Sequence, residues 1–209
     1  MKIIIFGATG LVGMELVKQA LFKGHEVKAY GRNVFTAGLP KDDRLEIVQG
    51  ALFDEGQVYK AIKGCDGVLS ALVGDASGSD FTRSLGMKNI VSRMQKAGVR
   101  RIVALGDYAI LDDEEDTLLM DSPEFPTDQY AVSKEHFKAY EYLKASNLDW
   151  TVACPAEITG GGATGIFVTA ADHPPRPDAH TVSAGDLGLF MLNELEKNEF
   201  IHHRVGISN

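Results

Sequence analysis

The feature that most constrains this chain is a glycine-rich segment near its start, Gly7-Ala8-Thr9-Gly10-Leu11-Val12-Gly13. The four residues before it, 3–6, are apolar and mostly β-branched, which predicts a short buried strand. The residues after it, 14–22, carry apolar side chains at helical spacing. A strand, a glycine turn and a helix in this order are typical of a dinucleotide-binding element.

Each glycine of the segment has a separate physical role. Gly7 lets the chain turn sharply as it leaves the strand, and Gly13 lets the helix pack closely on the sheet. Gly10 removes a side chain where a pyrophosphate approaches the backbone. The pyrophosphate then lies at the helix N-terminus, where unpaired N–H groups and the helix dipole favour an anion. The alternative is a glycine-rich turn without a ligand.

Strand and helix patterns alternate along the first three quarters of the chain. This order implies parallel strands joined by crossover helices, and therefore a Rossmann-type doubly wound α/β sheet with helices on both faces. The predicted strands are 3–6, 25–30, 45–48, 67–72, 101–105 and 150–154, and the predicted helices are 14–22, 55–62, 81–96 and 129–145.

The rest of the chain has a different composition. Residues 155–180 are rich in glycine, threonine and proline, and they precede a predicted helix at 186–195 and a predicted strand at 204–207. We expect a single NAD(P)-binding domain over residues 1–209, in which residues 155–209 form a small lobe that covers the substrate.

Charge and composition exclude several kinds of partner. The net charge of −8 argues against nucleic acid, because a phosphate backbone favours clustered lysine and arginine. No apolar run approaches a membrane span, and a strand pattern begins directly after Lys2, so we expect a cytoplasmic protein without a membrane partner. Cys65 and Cys154 lie in apolar surroundings, which predicts reduced thiols and no metal site. The expected ligand is a small-molecule substrate, and the expected state is a monomer or small homo-oligomer.

The residues after the second predicted strand indicate which dinucleotide binds. An acidic side chain there bonds the 2′-hydroxyl of NAD, whereas an arginine accommodates the 2′-phosphate of NADP. This chain has Arg32 followed by Asn33, with no carboxylate nearby. A guanidinium is a permanently charged planar fork that suits a phosphate dianion. The sequence therefore predicts NADP (NADPH) rather than NAD, with an unliganded surface arginine as the alternative.

A tyrosine and a lysine lie four residues apart, at Tyr130 and Lys134, and share one face of the predicted helix. A free tyrosine has a pKa near ~10, too high for efficient acid–base catalysis at neutral pH. A nearby ammonium stabilises the phenolate and lowers that pKa. We therefore predict that Tyr130 donates a proton and that Lys134 assists it and holds the nicotinamide ribose. The alternative is two unrelated surface side chains.

These motifs resemble a known superfamily. The glycine segment, Arg32 and the Tyr130–Lys134 pair are similar to those of short-chain dehydrogenases/reductases, and the glycine spacing resembles the atypical branches. More narrowly, the chain resembles the NmrA-like NAD(P)-binding proteins, the NADH-flavin reductases and the biliverdin-IXβ reductases. The stretches 149–156 and 180–187 also resemble that group.

The resemblance implies further cofactor contacts. It puts Ala71, Leu72 and Val73 beside the adenine ribose or pyrophosphate, and Gly106 near the nicotinamide. The segment Pro155-Ala156-Glu157-Ile158 would then pass along the nicotinamide edge.

The chain departs from the family pattern in two places. Gly106-Asp107 follows the fifth strand where the superfamily carries its catalytic serine, and an ionised Asp107 would oppose phenolate formation at Tyr130. Ala51 stands where relatives often have an aspartate that contacts adenine, and Ala51 and Leu52 are still expected to contact the cofactor.

Three functions are compatible with this pattern. The first is an NADP-dependent oxidoreductase that transfers hydride to a flavin, a quinone or a similar planar or carbonyl acceptor, since such acceptors need little dedicated acid chemistry. The second is a non-catalytic sensor whose NADP occupancy alters its affinity for a protein partner. The third is an enzyme of the sugar-nucleotide epimerase or dehydratase type. The retained Tyr130 and Lys134 favour an enzyme, and Gly106-Asp107 leaves the sensor open.

Overall fold

The computed structural model describes residues 1–209, which form an alternating series of strands and helices. The strands are β1 (Lys2–Phe6), β2 (Glu26–Gly31), β3 (Leu45–Gln49), β4 (Gly67–Ser70), β5 (Arg101–Leu105), β6 (Asp149–Pro155), β7 (Glu157–Thr159), β8 (Val168–Ala171), β9 (Thr181–Ser183) and β10 (His203–Ser208). The helices are α1 (Leu11–Phe22), α2 (Glu55–Ile62), α3 (Thr82–Ala97), α4 (Tyr130–Lys144) and α5 (Ala184–Lys197). Three short 3-10 helices span Val34–Thr36, Tyr108–Ile110 and Leu119–Asp121.

Eight strands form one sheet in the order β3-β2-β1-β4-β5-β6-β10-β8. All neighbours are parallel except the last pair, β10 and β8. The strand order reverses between β1 and β4, so the connections leave in opposite directions and a crevice opens at the carboxyl ends of these strands. The predicted Rossmann-type α/β fold is therefore confirmed.

The first strand shows how the sequence builds both faces of the sheet. All four apolar residues of the run 3–6 are fully buried, and successive side chains point to opposite faces. Ile4 and Phe6 join a 26-residue core under α2, α3 and α4, whereas Ile3 and Ile5 join a 24-residue core under α1 and α5. An uninterrupted apolar strand is what a sheet covered on both faces requires.

Two strands and the helix of the predicted C-terminal lobe are part of the main sheet and its cover. Strand β10 pairs with β6, β8 pairs with β10, and α5 packs beside α1 over the second core. The rest of residues 155–209 consists of the two-stranded β7–β9 pair and connecting loops. A substrate-covering role for these loops stays a prediction. None of the helices combines the length and apolarity that crossing a membrane needs.

Candidate functional site

Two glycines of the turn after β1 are required by packing within the protein. Gly7 has a φ of +76°, and a Cβ atom added to it would lie 2.2 Å from the carbonyl oxygen of Ala71. A Cβ atom added to Gly13 would lie 2.0 Å from the carbonyl oxygen of Gly7. The turn, the first turn of α1 and the end of β4 are therefore in backbone contact, and no larger residue fits at either position.

Gly10 differs from these two because nothing in the protein requires it to be glycine. A Cβ atom added to Gly10 would meet only the Gly7 carbonyl oxygen, at 3.5 Å, and its φ of −80° is open to any residue. Gly10 precedes α1, and no side chain caps that helix. The first N–H groups of α1 thus remain available to an external acceptor. The open space at Gly10 and the uncapped helix fit the diphosphate of a dinucleotide.

Three neighbouring cavities that share lining residues form a groove across the carboxyl ends of the strands. An outer cavity of about 350 Å³ and an inner cavity of about 280 Å³ share Leu72 and Val73. The inner cavity and a distal cavity of about 420 Å³ share Asp107, Gln129 and Ala156. The groove therefore runs from β2, over the point where the strand order reverses, to β6 and the residues after it.

The predicted cofactor residues are divided along this groove. The outer cavity is lined by Gly7, Thr9, Arg32, Ala51, Leu52, Leu72 and Val73, together with residues that were not predicted. The inner cavity is lined by Leu72, Val73, Gly106, Asp107, Pro155, Ala156 and Ile158, and Glu157 lines the distal cavity. The other predicted residues of the turn, Ala8, Gly10, Leu11, Val12 and Gly13, form its backbone, Ala71 is buried behind it, and Asn33 begins a 3-10 helix after β2.

A buried tyrosine shapes the outer cavity. The Tyr30 hydroxyl donates a hydrogen bond to the Ala51 carbonyl oxygen at 2.9 Å, and its ring packs on Phe6 with the centroids 5.0 Å apart. Burial, with a smaller contribution from Asp54, raises the pKa of Tyr30 to about 12, so the hydroxyl stays protonated. Gly50 leaves the space that this hydroxyl occupies, since a Cβ atom there would be 2.3 Å from it. Tyr30 thus holds the loop after β3 against the groove.

Arg32 lies at the open end of the outer cavity. Its side chain is exposed and makes no ion pair, and only its backbone carbonyl is engaged, by the Gln49 amide at 2.9 Å. The guanidinium is therefore free to bind an anion that enters this end of the groove.

The inner cavity contains no serine at the end of β5. A Cβ atom added to Gly106 would lie 2.5 Å from Cγ1 of Val152, so the space behind this residue is already filled. Asp107 accepts hydrogen bonds from the Ala109 N–H at 2.9 Å and from the Ser133 hydroxyl at 3.1 Å. Each oxygen of its carboxylate therefore has a protein donor, and a serine hydroxyl reaches this point from α4 instead of from β5.

Helix α4 does not bring the predicted Tyr130–Lys134 pair into the groove. Tyr130 is 42% exposed and lines a surface pocket with the 120–127 loop, and this pocket shares Phe125 with the distal cavity. The Lys134 ammonium is exposed and lies 5.9 Å from the centroid of the Tyr130 ring. The two side chains do lie together, as their spacing predicts, but neither lines the outer, inner or distal cavity. A catalytic role for the pair stays a prediction.

The face of α4 that meets the groove carries other residues. Gln129, Ser133 and His136 follow one another at spacings of four and three, and Gln129 and His136 line the inner cavity. Desolvation, with a further contribution from the Arg83 charge, lowers the pKa of His136 to about 4, and the opposing effects of Asp107 and Glu135 do not cancel it. His136 is therefore a neutral imidazole at physiological pH. Helical spacing from Gln129 is the sequence signal that locates His136, whereas the predicted tyrosine–lysine pair lies on a different face of the helix.

The distal cavity has aromatic walls. Tyr108 donates a hydrogen bond to Asp178 at 2.7 Å, and its ring meets His180 edge-on with the centroids 5.6 Å apart. Phe125 lines the cavity from the loop before α4. Burial and the Asp178 carboxylate raise the pKa of Tyr108 well above its usual value, so the phenol stays protonated. The sequence assigned no role to Tyr108, Phe125 or His180, because they come from three separate loops.

Comparison with known proteins agrees with this geometry. A family model described as NAD(P)H-binding matches residues 7–198. The chain is 29% identical to the Bacillus subtilis protein YwnB, described as uncharacterized, over 99% of this chain and 98% of that protein. Among solved structures, a putative exported protein from Burkholderia pseudomallei is 31% identical, with a TM-score of 0.86 and complete coverage of both chains. A putative NADH-flavin reductase from Streptococcus pneumoniae is 25% identical, with a TM-score of 0.86 over 100% of this chain and 99% of that chain.

Proposed function

The chain belongs to the NAD(P)H-binding family, which is oxidoreductase-like, and from that membership we propose that it is an NADPH-dependent reductase of a planar acceptor such as a flavin or quinone. The observation that carries the proposal is the groove of three neighbouring cavities, whose outer end holds a free arginine and whose distal end has aromatic walls.

The outer half of the groove supplies cofactor binding. The uncapped N-terminus of α1 and the open space at Gly10 would hold the pyrophosphate, and Arg32 would hold the 2′-phosphate that distinguishes NADPH from NADH. Tyr30 keeps the loop after β3 in place beside the adenosine. The nicotinamide would lie in the inner cavity, near Gly106 and Pro155, and when bound it supplies the hydride.

The inner and distal cavities favour a planar acceptor over a simple carbonyl compound. Tyr108, Phe125 and His180 offer aromatic surfaces against which a ring system stacks. The Tyr108 phenol and the His136 imidazole do not supply protons readily, because the pKa of Tyr108 is raised and His136 is already neutral at pH 7. A flavin or quinone tolerates this, because solvent can protonate the reduced product.

A panel of acceptors tests the proposal. NADPH oxidation is followed at 340 nm with riboflavin, FMN, naphthoquinones, aldehydes and ketones, and NADH is run in parallel. We expect turnover with flavins or quinones and little with aldehydes or ketones. Efficient reduction of an aldehyde or ketone, with no flavin or quinone activity, would refute the choice of acceptor.

One observation favours the non-catalytic sensor as a second candidate. The side chains that the family resemblance assigns to proton transfer, Tyr130 and Lys134, lie outside the groove. A sensor needs only the outer half and a surface that changes on binding. NADPH binding by calorimetry, with no oxidation by any acceptor of the panel, would support the sensor over the reductase.

A further inference from the structure

A buried arginine in the inner cavity has no role in the function described so far. Arg83, in the first turn of α3, is only 7% exposed and lines the inner cavity. Its guanidinium donates to the carbonyl oxygens of Asp75 at 3.0 Å and Gly74 at 3.4 Å, and its buried Nε has no partner. No carboxylate lies within ion-pair distance of it. A guanidinium has five N–H donors, and two carbonyl acceptors leave part of this buried group without a hydrogen-bond partner.

Two other polar side chains of the inner cavity, His136 and Gln129, each carry a donor without a partner in the protein. His136 is 9% exposed, and its imidazole makes no hydrogen bond within the protein. The Gln129 side chain is likewise unbonded and reaches both the inner and the distal cavity. The one acidic residue of the inner cavity, Asp107, already accepts a hydrogen bond on each oxygen. Beside this carboxylate, the cavity presents the Arg83 guanidinium and two side chains with unpartnered donors, and these donors suit a ligand group that consists of acceptor oxygens.

We infer that Arg83, with His136 and Gln129 beside it, binds an anionic group of the hydride acceptor. Acceptors that bear a phosphate, carboxylate or sulfonate are then preferred over neutral acceptors with the same ring system. This inference rests on the proposed reductase function, since it names the acceptor class for the same groove.

Arg83 lies away from the positions that we propose for the cofactor phosphates. Those positions, at the start of α1 and at Arg32, belong to the outer half, whereas Arg83 lines the inner cavity, where the nicotinamide would meet the acceptor. The Arg83 charge helps to lower the pKa of Asp75 and of Asp80, but both carboxylates are exposed. Asp75 accepts a hydrogen bond from Ser77, and Asp80 accepts one from Thr82. In a chain of net charge −8, a local cation is needed to hold an anionic acceptor against the general repulsion.

Two matched pairs of acceptors test the inference, because each pair differs only in an anionic group. FMN is compared with riboflavin, and 1,4-naphthoquinone-2-sulfonate with 1,4-naphthoquinone. Binding to the NADP⁺-saturated protein is measured by fluorescence quenching, and turnover is measured with NADPH. The variants are Arg83→Met and Arg83→Lys, and the control is Arg93→Met. Arg93 lies on the same helix but pairs with Glu55, away from the groove.

We expect at least one anionic acceptor to bind about tenfold or more tightly than its neutral partner, as one charge-assisted hydrogen bond would produce. Arg83→Met should reduce that ratio to near one, Arg83→Lys should retain part of it, and Arg93→Met should leave it unchanged. The affinity for NADPH should change by less than about twofold in all three variants.

Three results would overturn the inference. The first is equal binding within both pairs. The second is a loss of NADPH affinity in Arg83→Met, which would make Arg83 a cofactor residue. The third is an equal loss of affinity in Arg83→Met for the anionic and neutral members of each pair. Arg83 would then only hold the loop at Gly74 and Asp75 in place. Because the binding assay needs no turnover, preferential binding without NADPH oxidation would refute the reductase proposal while supporting the anion site.

Discussion

The outer and inner halves of the groove are built in different ways. The outer half comes mainly from short contiguous stretches at the ends of β1, β2, β3 and β4, which include three glycines and a single arginine. The inner half is assembled from α3, β5, α4 and the end of β6, which are far apart in the sequence. Backbone geometry thus determines the half that would hold the adenosine and pyrophosphate of the cofactor, whereas the orientation of helix faces determines the half in which the nicotinamide would meet the acceptor.

The largest expected effect distinguishes a ligand-facing glycine from a structural one. Gly10→Val places a branched side chain where we propose the pyrophosphate approaches, in space that the protein leaves empty. Nucleotide binding should be lost while the free energy of unfolding changes by no more than about 1 kcal/mol. Calorimetry with NADPH and urea denaturation measure the two quantities. Normal binding would show that the glycine turn has no ligand.

Gly13→Ala is the matched control for that experiment. Its added methyl group would lie 2.0 Å from the Gly7 carbonyl oxygen, so the first turn of α1 must move. We expect a loss of about 1–3 kcal/mol in stability from this overpacking. If Gly13→Ala were as stable as the unaltered protein, the distinction between the two glycines would not hold.

The buried histidine of the inner half predicts how the free energy of unfolding depends on pH. His136 has its pKa lowered to about 4 by burial, whereas in the unfolded chain it titrates near ~6.5. Between these values the unfolded state binds a proton that the folded state does not. The stability that His136 contributes is thus complete above about pH 6.5 and falls as the pH drops towards 4, by about 2–3 kcal/mol.

Urea denaturation at pH 7 and pH 4.5 measures this dependence, and His136→Asn removes it. The unaltered protein should lose more stability between the two pH values than the variant does. His25 is a suitable comparison because it is also buried, but it pairs with Glu196. An identical pH dependence in the unaltered protein and His136→Asn would mean that His136 is solvated.

The two halves also differ in how well the sequence predicts them. The glycine turn, β5 and α2 could be located from local patterns, because each depends on residues that are neighbours in the chain. The inner half could not be located from local patterns, because a rotation of α4 by part of a turn decides whether Tyr130 or His136 faces the groove. Strand β8 was also missed: it is a short edge strand within a glycine-rich region, and its antiparallel pairing with β10 is a long-range contact. Periodicity carries no information about such a partner.

Replacing Arg32 in the outer half is expected to have an intermediate effect on cofactor affinity. Arg32→Ala should weaken NADPH binding by about 1–3 kcal/mol, because a charge-assisted bond to the 2′-phosphate is lost, and should leave NADH binding unchanged. Arg44→Ala is the control, since Arg44 is another exposed arginine but pairs with Asp42 outside the groove. Titration of both cofactors decides the matter. Equal affinities for NADPH and NADH in the unaltered protein would contradict the predicted cofactor.

The smallest expected effect on turnover is that of Tyr130→Phe. This variant tests most directly which residues form the inner half. A tyrosine that donates a proton to a carbonyl substrate contributes about 10²–10⁴-fold to turnover. Tyr130 instead lies in a surface pocket outside the groove, with its ring near Lys134. We therefore expect Tyr130→Phe and Lys134→Ala to change turnover of a flavin or quinone by less than about threefold, with NADPH affinity unaltered. A defect of 100-fold or more in either variant would require α4 to turn Tyr130 towards the nicotinamide during catalysis, and the assignment of the inner half to His136 and Arg83 would then have to be revised.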